Sequence, residues 1–327
     1  MTIQADTKSR PVRSQPLYDV LCVGEIVVDL RSERSVPSLR YAQSFRRFLG
    51  GAPVNVARNI SRLGGKAALM GAVGADVLGD WVLDTLTEEG VDTRYIFRSS
   101  RPSSLVLVTR HSTTPDFLPY RGADPHFRVP EDVDTMLSRI RAVHTTAFAL
   151  SQQPAREHIF ALLQAAYEAR IPVSFDPNFH PMLWDEPEQA QAHIARAVSF
   201  AYIVKPSVDD CYRLFGAVPY QVCGRHFLDW GAEHVFITQG ARGVQWMSRT
   251  GEEMHVPARD VPIVDVTGAG DAFWTGILLG FLDGLTPVEA AQMGQHIAEY
   301  VIQSPESVIP PLSRSALYQT LGIPERR

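Results

Sequence analysis

From Leu17 to Val28 nearly every position is apolar, and the β-branched run YDVLCVGEIVV predicts one buried strand that ends at Asp29 and opens a parallel sheet. Gly50-Gly51 then leads into Pro53, placed as prolines are in a helix's first turn. Val56, Ala57, Ile60 and Leu63 follow at helical spacing until Gly64-Gly65 closes the element. Strand and helix patterns alternate after that: a strand over Ala67–Val73, a helix over Leu78–Glu89 stopped by Gly90, and a helix after Val133. A strand over Ala142–Leu150, a helix over Ala155–Arg170 and a strand over Pro172–Asp176 follow, with further strands at Tyr202–Val204 and Val235–Thr238. This alternation implies βαβ crossovers, hence an α/β fold with a mostly parallel central sheet covered by helices on both faces.

Two stretches break the rhythm, residues 31–49 and 101–128, where Ser104–Arg110 and Phe117–Arg121 read as strands with no helix between them. They predict a small antiparallel flap, a discontinuous lid over the carboxyl ends of the sheet, where open α/β folds bind ligands and where a cover excludes water. The rest reads as one domain over residues 17–327 behind a flexible polar tail, Met1 to Pro16.

Composition narrows the function. With 45% hydrophobic and 20% charged residues the chain is globular, and 31 basic against 36 acidic side chains leave a net charge of −5. Nucleic acid is therefore not an expected partner, and a polyanionic ligand must be held by local dipoles and a few cations. The tail has no apolar core of the secretory kind, and the longest apolar run, Phe273–Leu282, is about half of what spans a bilayer. Cytoplasmic residence without membrane contact is the expectation. Cys22, Cys211 and Cys223 have no metal-ligand spacing and suit reduced thiols.

The sharpest chemical signal is Asp265-Val-Thr-Gly-Ala-Gly-Asp271, followed by AFWTGILLGFL, a helix pattern apolar nearly all round. Gly268 and Gly270 remove side-chain bulk, so successive backbone N–H groups can face an anion with the positive end of the helix dipole behind them. Asp271 then stands in the first turn, where a carboxylate can accept a proton from an attacking hydroxyl. The same residues would also serve to turn the chain and cap a buried helix. Neither GxGxxG nor GxxxxGK[ST] occurs in the chain, which argues against a dinucleotide-dependent oxidoreductase and a P-loop enzyme.

DVTGAGDAFWTG resembles the carboxyl-terminal signature of the ribokinase-like (PfkB) carbohydrate kinases, and GGAPVNVARNISRLG resembles their amino-terminal one. The similarity extends to VGEIVVDL, to YRGAD at Tyr120–Asp124, to FDPNFHPMLW at Phe175–Trp184, to KPSVDD at Lys205–Asp210 and to TQGARG at Thr238–Gly243. It implies a ribokinase-like three-layer sandwich with a small β lid, ATP with Mg2+, and transfer of the γ-phosphoryl group to an alcohol. By position, Asp271 resembles the family's base and the amides of Gly268, Ala269 and Gly270 its anion hole. Asp29, Gly50, Gly51 and Asn55 resemble the positions that hold sugar hydroxyls, joined by Asn178 and, from the lid, Tyr120 and Arg121. Asp29 and Asn55 also suit a turn and a helix start, and Tyr120 and Arg121 suit a solvated lid surface. Lys205, Ser207, Thr238, Gly240, Gly243, Gly268 and Gly270 resemble the nucleotide site. Asp210 resembles a residue that reaches magnesium through water, although Ser207 and Asp210 also form a capping-box pattern.

Two departures matter. His180 stands where the family usually has arginine, which removes a permanent cation and weakens an acidic-substrate assignment. Val266 replaces a frequent threonine, so no potassium site is assigned from the sequence. The adenine pocket is not readable, though His296 and Tyr300 lie in its region. The acceptor that the resemblance favours is a fructose-like hexose. The alternatives are a keto-deoxy sugar acid, a nucleoside, or a non-catalytic sensor with the same fold, and a homodimer through the lid is a further expectation.

Overall fold

The computed structural model describes residues 16–110, 116–304 and 308–323; apart from Pro16, the expected tail lies outside them. The chain begins with β1 (Tyr18–Val23), whose alternating positions face two layers: Leu21 and Val23 pack into one core, Val20 and Cys22 into the other. The expected single strand is broken at Gly24, where φ is +147° and a β-carbon would lie 2.7 Å from that of Ala149. The chain leaves the sheet there and re-forms as β2 (Val27–Ser35), so Asp29 lies inside a lid strand and does not end a core strand.

The lid continues with β3 (Phe45–Gly50), after which α1 (Ala52–Arg62), β4 (Ala67–Gly74), α2 (Val77–Glu88) and β5 (Asp92–Ser99) return to the main body. The sequence pattern did not show β5, an edge strand on which mostly half-exposed positions blur the alternation. β6 (Ser104–Arg110) and β7 (Phe117–Tyr120) complete the lid. Its order is β3-β2-β6-β7; the outer pairs are antiparallel, but β2 and β6 run parallel, so the flap is mixed and not antiparallel throughout.

The body resumes with α3 (Val133–Leu137), β8 (Ile140–Thr146), α4 (Ala147–Leu150), α5 (Ala155–Glu168), β9 (Val173–Asp176) and α6 (Ala190–Val198). The strand expected over Ala142–Leu150 thus stops at Thr146, whose hydroxyl caps the short α4 by accepting from the Ala149 amide at 3.2 Å. Then come β10 (Ile203–Val204), α7 (Val208–Phe215), α8 (Tyr220–Trp230), β11 (His234–Thr238), β12 (Val244–Ser248), β13 (Glu253–Val256), α9 (Ala269–Leu282), α10 (Pro287–Ile302) and α11 (Arg314–Leu321). Among the described residues the main sheet has nine strands in the order β13-β12-β11-β10-β9-β8-β1-β4-β5, parallel from β11 to β5 and antiparallel at β12 and β13. With helices on both faces this is the ribokinase-like sandwich that the resemblance implies.

α9 is held in two ways. The Trp274 indole N–H donates to His144 Nδ1 at 3.2 Å, and burial pushes that imidazole's pKa down to about 3, so it is a neutral acceptor. Against α10 the backbones nearly touch: a β-carbon on Gly276 would fall 2.5 Å from Gly294 Cα, and one on Gly294 would fall 2.6 Å from the Phe273 carbonyl oxygen. Elsewhere the packing of α7 on α8 corrects the reading of the cysteines. Cys211 and Cys223, both buried, have Cα atoms 5.7 Å apart and form a disulfide, a pairing that sequence spacing cannot show; Cys22 is a buried thiol. Among the described residues no helix is long and apolar enough to cross a membrane.

Candidate active site

The carboxyl ends of the parallel strands, the start of α9 and the inner face of the lid converge on one cleft. Gly268 adopts the left-handed conformation, φ +81° and ψ −4°, and begins α9 without a side-chain cap. The loop before it is tied by Asp265 Oδ1, which accepts from the Thr267 amide at 2.9 Å and its hydroxyl at 2.7 Å. Of the amides expected to face an anion, that of Ala269 donates to Val266 O at 3.1 Å. That of Gly270 comes next, followed by the amide of Asp271, which was not among those expected; both stand where a helix has no carbonyl of its own to offer.

Asp271 Oδ2 accepts from Asn55 Nδ2 at 2.8 Å, which joins the starts of α1 and α9 across the cleft. Burial drives the Asp271 pKa up to about 7; the Asn55 bond and the Lys205 charge pull it down, while the Asp176 and Asp29 charges add to the rise. Lys205 Nζ lies 2.8 Å from Asp176 Oδ2, and a β-carbon on Gly270 would come within 3.5 Å of the same ammonium. Burial works against that charge, but Asp176, Asp210 and Asp271 outweigh it and hold the Lys205 pKa above its ordinary value.

In the lid, Asp29 lies against Gly50 so closely that a β-carbon there would sit 2.4 Å from Oδ1. Gly51 has φ +106° and its missing β-carbon would meet Glu25 O at 2.3 Å, so glycine is required at both positions. Burial raises the Asp29 pKa, against the pull of Arg31 at 3.2 Å. Asn178, with φ +30°, is exposed, and its amide donates to Asp176 Oδ1 at 3.2 Å. Tyr120 does not join Asp29. Asp29 is opposite Val106 and Val106 opposite Pro119, so Tyr120, the next residue, points to the other face of the lid, where it is 57% exposed. Arg121 is half-buried with its side chain only 7% exposed, and not a solvated surface group: its Nε bonds both Asp124 carboxylate oxygens at 3.0 and 2.8 Å, its Nη1 donates to Ser151 Oγ at 2.9 Å, and its guanidinium covers Phe148 at 4.4 Å. His180 packs 5.6 Å from Phe117, its pKa lowered by burial and then by Arg213, which donates to Phe179 O at 3.1 Å.

Beside the start of α9 is a cavity of about 510 Å3 bounded by Thr238, Gly240, Gly243, Val266, Gly270 and Phe273, with Gln295, Ala298, Glu299 and Ile302 of α10 as one wall. His296 and Tyr300 stack edge to face on each other at 5.2 Å. Gly240 faces open space, whereas a β-carbon on Gly243 would fall 2.1 Å from Val256 O; Gly243 is needed for the β12–β13 crossing itself. Ser207 and Asp210 form a reciprocal capping box, and the second Asp210 oxygen accepts from the Phe179 amide at 2.7 Å.

Sequence reasoning passed over Glu25, 1% exposed beneath Gly51. It accepts from the Ala52 amide at 3.1 Å and the Thr146 hydroxyl at 2.8 Å, and burial pushes its pKa to about 8. A carboxylate inside the apolar run VGEIVV is the signal that could have found it.

The model of the pfkB family of carbohydrate kinases matches residues 18–313. The chain is 31% identical over 286 residues to the ATP-dependent 6-phosphofructokinase of Thermoanaerobacterium thermosaccharolyticum, covering 88% of each chain. It is 36% identical over 255 residues to the fructokinase of Klebsiella pneumoniae, 76% of this chain and 82% of that one. The crystal structure of the Xylella fastidiosa fructokinase with bound ATP superposes with a TM-score of 0.80 at 27% identity, over 93% of this chain and 99% of the other.

Proposed function

The chain belongs to the PfkB family and is a carbohydrate kinase, and from that premise we propose that it moves the γ-phosphoryl group of ATP to a hydroxyl of a fructose-like ketohexose. The observation that carries this is the meeting of Asp271 with Asn55 at 2.8 Å directly beside the uncapped start of α9. ATP lies with its base in the cavity between Gly240 and α10, and its terminal phosphate meets the Gly270 and Asp271 amides, with Lys205 beside them. Asp29 and Asn55 hold the sugar. Asp271 takes the proton of the attacking hydroxyl, the new oxygen–phosphorus bond forms as the bond to ADP breaks, and the helix-start amides receive the charge that develops on the phosphoryl oxygens. The relatives named fructokinase and 6-phosphofructokinase both point to a ketohexose skeleton.

Among the described residues no cluster of acidic, histidine or cysteine side chains could hold a metal by itself. Asp176 is engaged by Lys205, and Asp210 by Ser207 and the Phe179 amide. Such a set fits an ion held mainly by phosphate oxygens and water. Asp210 would reach Mg2+ through water, and the ion would add positive charge beside the transferred group. The outer lid strands β3 and β7 are edges of the described lid, and pairing there is the route to a homodimer.

The test is an ATP-consumption screen over ketoses, aldoses, sugar acids and nucleosides. Turnover with a ketohexose skeleton is the expected result; turnover confined to nucleosides, or none at all, would overturn the reading.

A further inference from the structure

We propose that Glu25 is a positioning residue for phosphoryl transfer: from beneath the double glycine its carboxyl fixes the first turn of α1, and with it the place of Asn55 against Asp271. This rests on the kinase reading above, in which Asn55 holds the acceptor and Asp271 takes its proton. Glu25 follows the break at Gly24, in a notch so narrow that a β-carbon on Gly24 would meet Ala149 of α4 at 2.7 Å and Pro53 of α1 at 3.0 Å. Its backbone carbonyl fills the space of a β-carbon on Gly51. Its side chain joins two elements: Oε1 accepts from the Ala52 amide of α1 at 3.1 Å, and Oε2 from the hydroxyl of Thr146, at the end of β8, at 2.8 Å.

The start of α1 needs an outside partner. Gly51 precedes it with no side chain to cap it, and Pro53 has no N–H to offer, so Glu25 grips the amide just ahead of that proline. The turn then closes on the Asn55 amide, which donates to Gly51 O at 3.0 Å. The side chain of Asn55 spends Nδ2 on Asp271, and its buried Oδ1 has no partner among the described residues, which leaves it for a hydroxyl of the acceptor. A shift of this one turn therefore moves the sugar contact and the partner of Asp271 together. Burial raises the Glu25 pKa to about 8, and the charge of Arg121, itself matched by Asp124, does not offset the rise. Glutamine has the shape of the protonated acid and can keep both bonds, accepting from Ala52 and donating to Thr146.

The test compares Glu25→Ala, Glu25→Asp and Glu25→Gln with the unaltered full-length enzyme, using the best acceptor of the screen above. Alanine should lower kcat/KM for the acceptor by about 10- to 100-fold, the scale of a reactant misplaced by about an ångström, while KM for ATP stays nearly unchanged. The Asn55 bond and the Lys205 charge lower the Asp271 pKa, whereas burial, Asp176 and Asp29 raise it, so a displaced Asn55 should also move the acid limb of kcat/KM to higher pH. Aspartate, one methylene too short to reach both partners, should shift the same quantities the same way and keeps the test open should the alanine variant fold poorly. Glutamine should restore most of the loss. Acceptor kinetics unmoved in the alanine and aspartate variants, an equal loss for acceptor and ATP with the limb in place, or a glutamine variant no better than alanine would overturn the inference and leave the kinase reading standing. No transfer to any acceptor by the unaltered enzyme would overturn both.

Discussion

Asp271 can take a proton only when ionised, and its surroundings hold its pKa near 7. Activity should therefore fall tenfold per pH unit below that point, with an acid limb in kcat/KM near pH 7; a limb at the ordinary carboxylate value, about 4, would remove Asp271 from the role. The Asn55 bond opposes the rise, so Asn55→Ala should move the limb to higher pH as well as weaken sugar binding. Asp271→Asn should lower kcat by about 10²–10⁴-fold, with nucleotide affinity, read by calorimetry, largely kept. At this scale the sequence was legible where chemistry and backbone demand coincide, as in Asp271 among its glycines or Gly50 against Asp29. It was opaque where a role depends on what lies opposite. Glu25 and Arg31 look like stray charges in a strand until the fold closes around them, and Tyr120 looked like a sugar contact until the lid register turned it outward.

Elements were legible where one periodicity ran unbroken. α1 and α9 were expected close to where they lie, because glycines mark their starts and apolar positions recur along them. β1 and β2 were merged because, Glu25 apart, the residues on both sides of Gly24 are equally apolar; the break shows only as a positive φ and a β-carbon with no room. The same criterion separates two glycines of one loop. Gly243→Ala would drive a methyl group into the Val256 carbonyl, and a severe loss of thermal stability is the expected outcome. Gly240→Ala faces open space and should cost about 1–2 kcal/mol of left-handed strain, with the larger effect on KM for ATP. Equal melting temperatures for the two variants would contradict this assignment.

For the molecule as a whole, the carboxyls that build the site also act against the fold. A carboxyl whose folded pKa is raised favours the folded state while protonated. That contribution is full below the unfolded value near 4.3, and it is lost as pH rises to the folded value. For Glu25 the folded value is about 8 and for Asp271 about 7. The melting temperature of the ligand-free protein should thus decline between about pH 5 and pH 8, and Glu25→Gln should flatten the decline. An unchanged slope in that variant would show that Glu25 is not buried as described. The disulfide between α7 and α8 belongs to this scale too, since only the assembled helices reveal it.

The contact of Gly276 with Gly294 has one more consequence. Two helices whose backbones meet cannot admit a larger residue without shifting the α10 wall of the cavity and the start of α9 together. A larger residue at either position should therefore lower the melting temperature and disturb turnover of every acceptor alike. The exposed Arg46 on the cover sits in no such joint, so a change there should leave the packing of α9 on α10 as it is.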